Sequence, residues 1–247
     1  MASVQDIVSE FAKNATTASS TLVVDHRYYP IGVQIAGLIA NTYSVPYILG
    51  VFAAGCVVIF AITYFITISV RPRASAGDLW SVMWFVLSGS IHLFFEGYFS
   101  VNNHRMGGLN TLFGQMWKEY ALSDSRYLTQ DAFVLCMESV TAFCWGPMCY
   151  CVAGMIITDH HLRYPLAAIV SLGQLYGLIL YYATSLFDHY LLGIAYSRPE
   201  AYYYWGYYVF LNAFWMFIPG YLLYQSVRET GEAFKIAKSV GYGKKAN

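Results

Sequence analysis

Long uncharged segments alternate with short charged connectors along this chain. No Asp, Glu, Lys or Arg occurs over residues 28–70 or 164–187. About 20 apolar residues are enough for one helix to cross the hydrocarbon core of a bilayer. The pattern therefore predicts five membrane-spanning helices: 46–70, 79–101, 131–158, 164–187 and 201–227.

The first uncharged segment is too long for one such helix, and Pro46 divides it. Proline is favoured in the first turn of a helix, and Ser44 is placed to cap that turn. The first span is therefore predicted to begin at Pro46. Residues 31–41 are predicted to form an interfacial or re-entrant helix.

Composition agrees with a membrane protein. Hydrophobic residues make up 57% of the 247 residues and charged residues 11%, whereas a typical soluble domain is about 25% charged. The formal net charge is zero, so we expect no nucleic-acid partner. We divide the chain into a polar N-terminal segment (1–30), a five-helix membrane domain (31–227) and a basic tail (228–247). Residues 102–130 are predicted to be a polar loop with some helical character.

Charge also predicts the orientation. With a cytosolic C-terminus, eight of the 14 Lys and Arg residues lie on the cytosolic side, as the positive-inside rule favours. The tail ends in Lys244-Lys245-Ala246-Asn247, which is similar to a dilysine retrieval signal. We therefore predict a multi-pass protein of the endoplasmic reticulum membrane with a cytosolic C-terminus.

Three ionisable residues interrupt the predicted spans. His92 and Glu96 lie in the second span, and Glu138 lies near the start of the third. Each costs roughly 2.5–3.5 kcal/mol in hydrocarbon, so such residues usually face a cavity or pathway between helices. A structural role, such as hydrogen bonding between helices, is the alternative.

Spacing and depth group further polar residues with these three. His92 and Glu96 are four residues apart and share one helix face. Thr141 follows Glu138 at a spacing of three, and Asn212 and Trp215 have the same spacing on the fifth helix. Alternating helix directions give these groups overlapping depths, since an α-helix rises about 1.5 Å per residue. We predict an all-α integral membrane protein whose five transmembrane helices enclose an intramembrane polar pocket.

Other polar side chains are candidates for contact with a substrate. Gln174, Tyr176 and Tyr181 on the fourth helix, and Tyr208 on the fifth, are predicted to bind the substrate. Packing between helices is the other interpretation of the three on the fourth helix.

These groups are suited to proton transfer to and from an apolar substrate. Burial favours the neutral form of a carboxyl group, so one glutamic acid can donate a proton while another carboxylate or the imidazole accepts one. An indole face stabilises a developing carbocation by cation–π attraction. The combination indicates an alkene isomerase. We expect no cofactor and no metal site.

Five segments of the chain carry distinctive motifs. They contain Ser90-Ile91-His92-Leu93-Phe94-Phe95-Glu96, Trp117-Lys118-Glu119-Tyr120 with Asp124-Ser125-Arg126-Tyr127, Met137-Glu138-Ser139-Val140-Thr141, Gly173-Gln174-Leu175-Tyr176-Gly177 and Asn212-Ala213-Phe214-Trp215. Together these segments resemble the sterol 8,7-isomerase family, the emopamil-binding proteins. The resemblance covers residues 80–220 in order. It implies an enzyme of sterol biosynthesis that moves the 8,9 double bond to the 7,8 position through a cation at carbon 8.

The family resemblance also implies roles and partners. His92, Glu96 and Glu138 would supply acid and base, Thr141 and Asn212 would orient them by hydrogen bonds, and Trp215 would stabilise the cation. The implied partners are the sterol substrate, cationic amphiphilic ligands, the lipid bilayer and a second copy in a homodimer. The role of the Asp124–Tyr127 loop stays open.

Two other functions are compatible with intramembrane ionisable groups. A non-catalytic sterol- or cationic-amphiphile-binding member of the same superfamily would be expected to lack one of the three ionisable residues, which this chain retains. A proton-coupled transporter usually shows internal repeats or broken helices, and neither is evident. The isomerase is the favoured function.

Overall fold

The structure of the chain, a computed structural model, describes residues 27–241. The described residues contain no strand. They form helices α1 (Val45–Val70), α2 (Ala76–Gly108), α3 (Leu112–Tyr120), α4 (Ala132–Ile157), α5 (Arg163–Leu192) and α6 (residues 202–239). The Lys244-Lys245 pair and most of the polar N-terminal segment lie outside the described residues.

Four of the described helices are long and apolar enough to cross a membrane, namely α1, α2, α4 and α5. They correspond to the first four predicted spans, and they make the protein a multi-pass membrane protein. The predicted fifth span is helical as part of α6, but α6 is not one of these four. Its first third is rich in tyrosine and its last third carries charged side chains, which lowers its hydropathy.

The helix predicted over residues 31–41 is wrong. Gly32 and Gly37 have φ angles of 86° and 63°, in the left-handed region that a right-handed helix excludes. The backbone beyond this segment bonds instead to α3, where the Tyr43 N–H donates to Gln115 Oε1 at 2.8 Å. The segment therefore lies as an irregular strap along α3.

α1 and α4 begin where the sequence predicts, but the predicted capping bond of Ser44 at α1 is not formed. Asp131 accepts a hydrogen bond from the Val134 N–H at 2.8 Å and caps α4. Ser44 stands at the start of α1, with Pro46 in the first turn, but its side chain makes no capping bond. Proline alone therefore marks the start of α1.

Three helices contain a π-helical segment, which is internal in α2 and α4 and forms the first part of α6. These segments are Ile91–Glu96 in α2, Thr141–Trp145 in α4 and Tyr202–Leu211 in α6. His92, Glu96 and Thr141 lie within them, and Asn212 directly follows the third. A π-helical turn holds an extra residue, so it rotates the following side chains relative to a regular helix, and such turns are frequent at functional sites.

Close packing brings α2 against α4 at the level of these segments. A Cβ atom added to Gly146 of α4 would lie 3.1 Å from the backbone nitrogen of Leu93 in α2. Glycine therefore permits the approach that places the His92 and Glu138 side chains in one cluster.

Candidate active site

A cavity of about 780 Å³ lies among α1, α2, α4, α5 and α6. Most of its wall is apolar, and its carboxyl and imidazole groups come from α2 and α4. The predicted site residues that line it are His92, Glu96, Glu138, Thr141, Gln174, Tyr181, Asn212 and Trp215.

Two predicted substrate contacts lie elsewhere. Tyr176 is on the outer face of α5 and is 60% exposed. Tyr208 is buried, but it lies behind the cavity wall, where its carbonyl oxygen accepts hydrogen bonds from Tyr182 and Asn212. Neither side chain lines the cavity.

His92 and Glu96 form a hydrogen-bonded pair. His92 Nδ1 lies 2.7 Å from Glu96 Oε2. His92 is 2% exposed, and the Glu96 side chain is 12% exposed. The predicted shared helix face is therefore confirmed, and the carboxyl group is the more accessible member of the pair.

Glu138 extends this pair across the helix interface. Its carboxyl group faces that of Glu96 closely enough for the two to interact electrostatically. On its other side, the Tyr127 hydroxyl donates a hydrogen bond to Glu138 Oε1 at 2.5 Å. Tyr127, Glu138, Glu96 and His92 thus form one buried polar row, which we call the proton row.

A buried ion pair holds Tyr127 over Glu138. The Arg126 guanidinium lies 2.6 Å from Asp124 Oδ2 and donates to Thr184 Oγ1 of α5 at 2.9 Å. Both charged side chains are at most 1% exposed. The Asp124–Tyr127 motif was noted in the sequence, but the sequence did not show that its tyrosine reaches Glu138.

Thr141 and Asn212 do not contact the proton row by hydrogen bonds. Thr141 Oγ1 donates to the Met137 carbonyl of its own helix at 2.8 Å. Asn212 Nδ2 donates to the Tyr120 hydroxyl at 2.9 Å. The predicted orienting role is therefore not seen for either residue, although both line the cavity.

Trp215 presents its indole to the same cluster. Its Nε1–H donates to His92 Nε2 at 3.4 Å, and its ring centre lies 5.6 Å from that of Trp84. Trp215 also lines the cavity, next to His92.

Part of the cavity wall is also outer surface. Trp80 near the start of α2 and Tyr221 of α6 line the cavity and are 70% and 63% exposed. The cavity therefore reaches the side of the helix bundle between α2 and α6.

Comparison with known proteins places this arrangement in a family. The family model described as EBP: EXPERA (EXPanded EBP superfamily) matches residues 112–226. The 3-beta-hydroxysteroid-Delta(8),Delta(7)-isomerase of Cavia porcellus is 35% identical over 217 residues, which cover 87% of this chain and 92% of that protein. A probable isomerase of the same name from Oryza sativa is 28% identical over 85% of this chain and 94% of its own length.

A relative with a different name matches a shorter part. The protoglabretal synthase MOI1 of Citrus sinensis is 34% identical over 139 residues, 56% of this chain and 64% of that protein. The long matches confirm the resemblance found in the sequence. The chain belongs to the EBP family of the EXPERA (EXPanded EBP superfamily) proteins.

Proposed function

We propose that the protein is a sterol isomerase that moves a ring double bond from the 8,9 to the 7,8 position. Relatives named 3-beta-hydroxysteroid-Delta(8),Delta(7)-isomerase match it at 34–35% identity over most of its length. The observation that carries the proposal is the proton row beside a largely apolar cavity. That combination suits proton transfer on a hydrocarbon skeleton.

The reaction adds one proton and removes one. A neutral carboxyl group donates a proton to carbon 9, the positive charge develops at carbon 8, and a carboxylate removes a proton from carbon 7. Glu96 and Glu138 are the two carboxyl groups that face each other at the cavity. After the reaction their protonation states are exchanged, and proton transfer between them restores the starting state.

The remaining cavity groups have supporting roles. The Trp215 face stabilises the cation at carbon 8, and His92 acts with Glu96 through their hydrogen bond. Thr141, Asn212 and Tyr181 shape the wall around the ring system. A cationic amphiphile binds at the same place, because its ammonium group takes the position of the developing cation.

We also propose how the protein sits in its membrane. α6 crosses the bilayer as a fifth span. The proton row lies at membrane depth. The C-terminus lies on the cytosolic side of the endoplasmic reticulum membrane. The sterol enters sideways from the lipid, between Trp80 and Tyr221. Two copies form a homodimer.

The test is sterol analysis of isomerase-deficient cells that express wild type, Glu138→Gln or His92→Ala at equal levels. Wild type is expected to clear the accumulated 8-ene sterol, whereas both variants leave it. Tyr190→Phe, an exposed position on α5, is the matched control and should behave as wild type. If wild type binds sterol but leaves the 8-ene sterol unchanged, the protein is a non-catalytic binder.

A further inference from the structure

Three polar side chains surround the Nε2 atom of His92. Gln174 Nε2 lies 2.9 Å from it, Ser88 Oγ 3.3 Å and Trp215 Nε1 3.4 Å. An indole nitrogen can only donate a hydrogen bond, so His92 Nε2 is an acceptor. The ring proton is therefore on Nδ1, where it is donated to Glu96 Oε2.

The Gln174 amide matches this protonation state of His92. Its Nε2 group donates to His92 Nε2 and to Ser88 Oγ, the latter at 2.9 Å. The opposite amide orientation would bring two acceptors, Gln174 Oε1 and His92 Nε2, into contact. Gln174 therefore favours the same tautomer of His92 as Trp215 does, from a different helix.

The oxygen atom of the Gln174 amide, Oε1, has an unusual environment. Gln174 is 4% exposed, and its Oε1 atom is buried without a hydrogen-bond partner. A buried carbonyl oxygen without a partner is costly, so a state in which this oxygen gains a partner is stabilised. Rotation of the amide by half a turn supplies such a state. Oε1 then accepts from the Ser88 hydroxyl and from an N–H on His92 Nε2.

We propose that Gln174 is a positioning residue rather than a substrate contact. It keeps the proton of the neutral His92 ring on Nδ1, and by amide rotation it accepts the second N–H when the ring becomes an imidazolium. Its effect on catalysis rests on the proposed isomerase function, whereas its effect on the tautomer does not.

This arrangement gives His92 Nε2 a hydrogen-bond partner in the neutral and in the protonated ring. Cys149 of α4 contacts the Gln174 amide. The titratable groups beside the His92 ring are Glu96 on its own helix and Glu138 on α4. α5 and α6 face it with an amide and an indole, neither of which titrates. Because Nδ1 already carries a proton, a second proton on the ring goes to Nε2, and the rotated Gln174 amide then accepts a hydrogen bond from it.

The first test measures which nitrogens of the His92 ring carry a proton. Protein carrying ¹⁵N-labelled histidine is studied by NMR, and the His92 signals, among those of six histidines, are identified by their loss in His92→Asn. Wild type should show a neutral ring with its proton on Nδ1. Gln174→Glu should show protons on both nitrogens, because a carboxylate then accepts from Nε2. Gln174→Leu should lose the strict preference for the Nδ1 proton.

A matched control uses the same residue type at an exposed position. Gln34→Leu changes a glutamine on the strap beside α3 and should leave the His92 signals unchanged. Unchanged His92 signals in both Gln174 variants, with melting curves that show folded protein, would overturn the proposal.

The second test separates positioning from sterol contact. For Gln174→Leu, kcat should fall about tenfold, the loss expected for one hydrogen bond, with little change in KM. A raised KM with unchanged kcat would indicate direct contact with the sterol and overturn the proposal. If wild type shows no isomerase activity, the proposed function fails, while the NMR result still decides the role of Gln174 at the ring.

Discussion

The Tyr127 hydroxyl donates a hydrogen bond of 2.5 Å to Glu138 Oε1. Tyr127 follows the buried Asp124–Arg126 ion pair in the connection before α4, whereas Glu138 is within α4. The tyrosine thus fixes one carboxylate oxygen and leaves the rest of the group facing Glu96 and the cavity. A residue of a loop thereby orients a carboxyl group that lies inside a membrane helix.

Replacing Tyr127 by Phe should lower kcat about 10- to 100-fold, since a hydrogen bond to a charged group contributes about 1.5–3 kcal/mol. Steady-state kinetics on an 8-ene sterol in detergent measures the effect, with KM expected to change little. Tyr190→Phe, exposed on α5, is the control. Wild-type kcat in Tyr127→Phe would show that this bond does not support the reaction.

The Trp215 indole offers both a π face and an N–H. Trp215→Phe keeps an aromatic face and should lower kcat less than Trp215→Leu does. The difference in kcat between the two variants reflects a cation–π contribution of about 0.5–2 kcal/mol. Trp205→Phe, exposed on the same helix, should have no effect in the same assay. Equal losses in the two Trp215 variants would argue that only the N–H matters.

Arg126 should be essential for stability. Arg126→Ala leaves the Asp124 carboxylate buried without its partner, which is expected to lower the free energy of unfolding by about 3–5 kcal/mol. Thermal melting in detergent measures the loss. Arg228→Ala, at an exposed pair with Glu229, should melt like wild type. A similar melting curve for both variants would mean that Asp124 gains another partner.

Two glycines of α5 make a matched pair. A Cβ atom on Gly173 would lie 2.6 Å from the Trp145 ring, whereas nothing lies within 4 Å of one on Gly177. Gly173→Ala should therefore destabilise the protein by about 1–3 kcal/mol through overpacking. Gly177→Ala should be neutral or stabilise α5 by up to about 1 kcal/mol. Denaturant unfolding of both variants measures the two changes, and equal stabilities would show that Trp145 moves aside freely.

Glu119, on α3 outside the membrane spans, should make stability depend on pH. Burial raises the pKa of this carboxyl above its usual value of 4.5, and the hydrogen bond from Tyr207 only partly offsets the rise. The folded state thus holds the proton more strongly than the unfolded state does. The stabilisation is fully present below about pH 4.5 and is lost as the pH rises through the raised value.

The measurement compares the free energy of unfolding of wild type with that of Glu119→Gln across this range. The value for wild type minus that for the variant should fall as the pH increases. A difference that stays constant with pH would show that the folded and unfolded states bind this proton equally.

Properties that depend on neighbours along the chain were predicted correctly. Runs of apolar residues defined α1, α2, α4 and α5, because spanning hydrocarbon requires length and hydropathy. The pairing of His92 with Glu96 followed from a spacing of four on one helix. The cost of burying charge marked these residues and Glu138 as unusual, and all three line the cavity.

Properties that depend on helix rotation and on contacts between distant segments needed the tertiary structure. Thr141 bonds to its own helix and Tyr176 faces outward, because π-helical turns and packing decide which way each side chain points. Tyr127 reaches Glu138 from a loop, and Gln174 reaches His92 from α5. The residues 31–41 are not helical, since two glycines adopt left-handed angles and the Ile39 backbone bonds to Gly107 of α2 and Lys118 of α3.

The sequence by itself determined the membrane helices and the kinds of chemical group at the site, since both are properties of residue type and local spacing. Only the tertiary structure decided which groups contact His92, Glu96 and Glu138. Those contacts depend on how closely α2, α4 and α5 pack and on how far each helix is turned, and neither quantity is encoded in a local pattern.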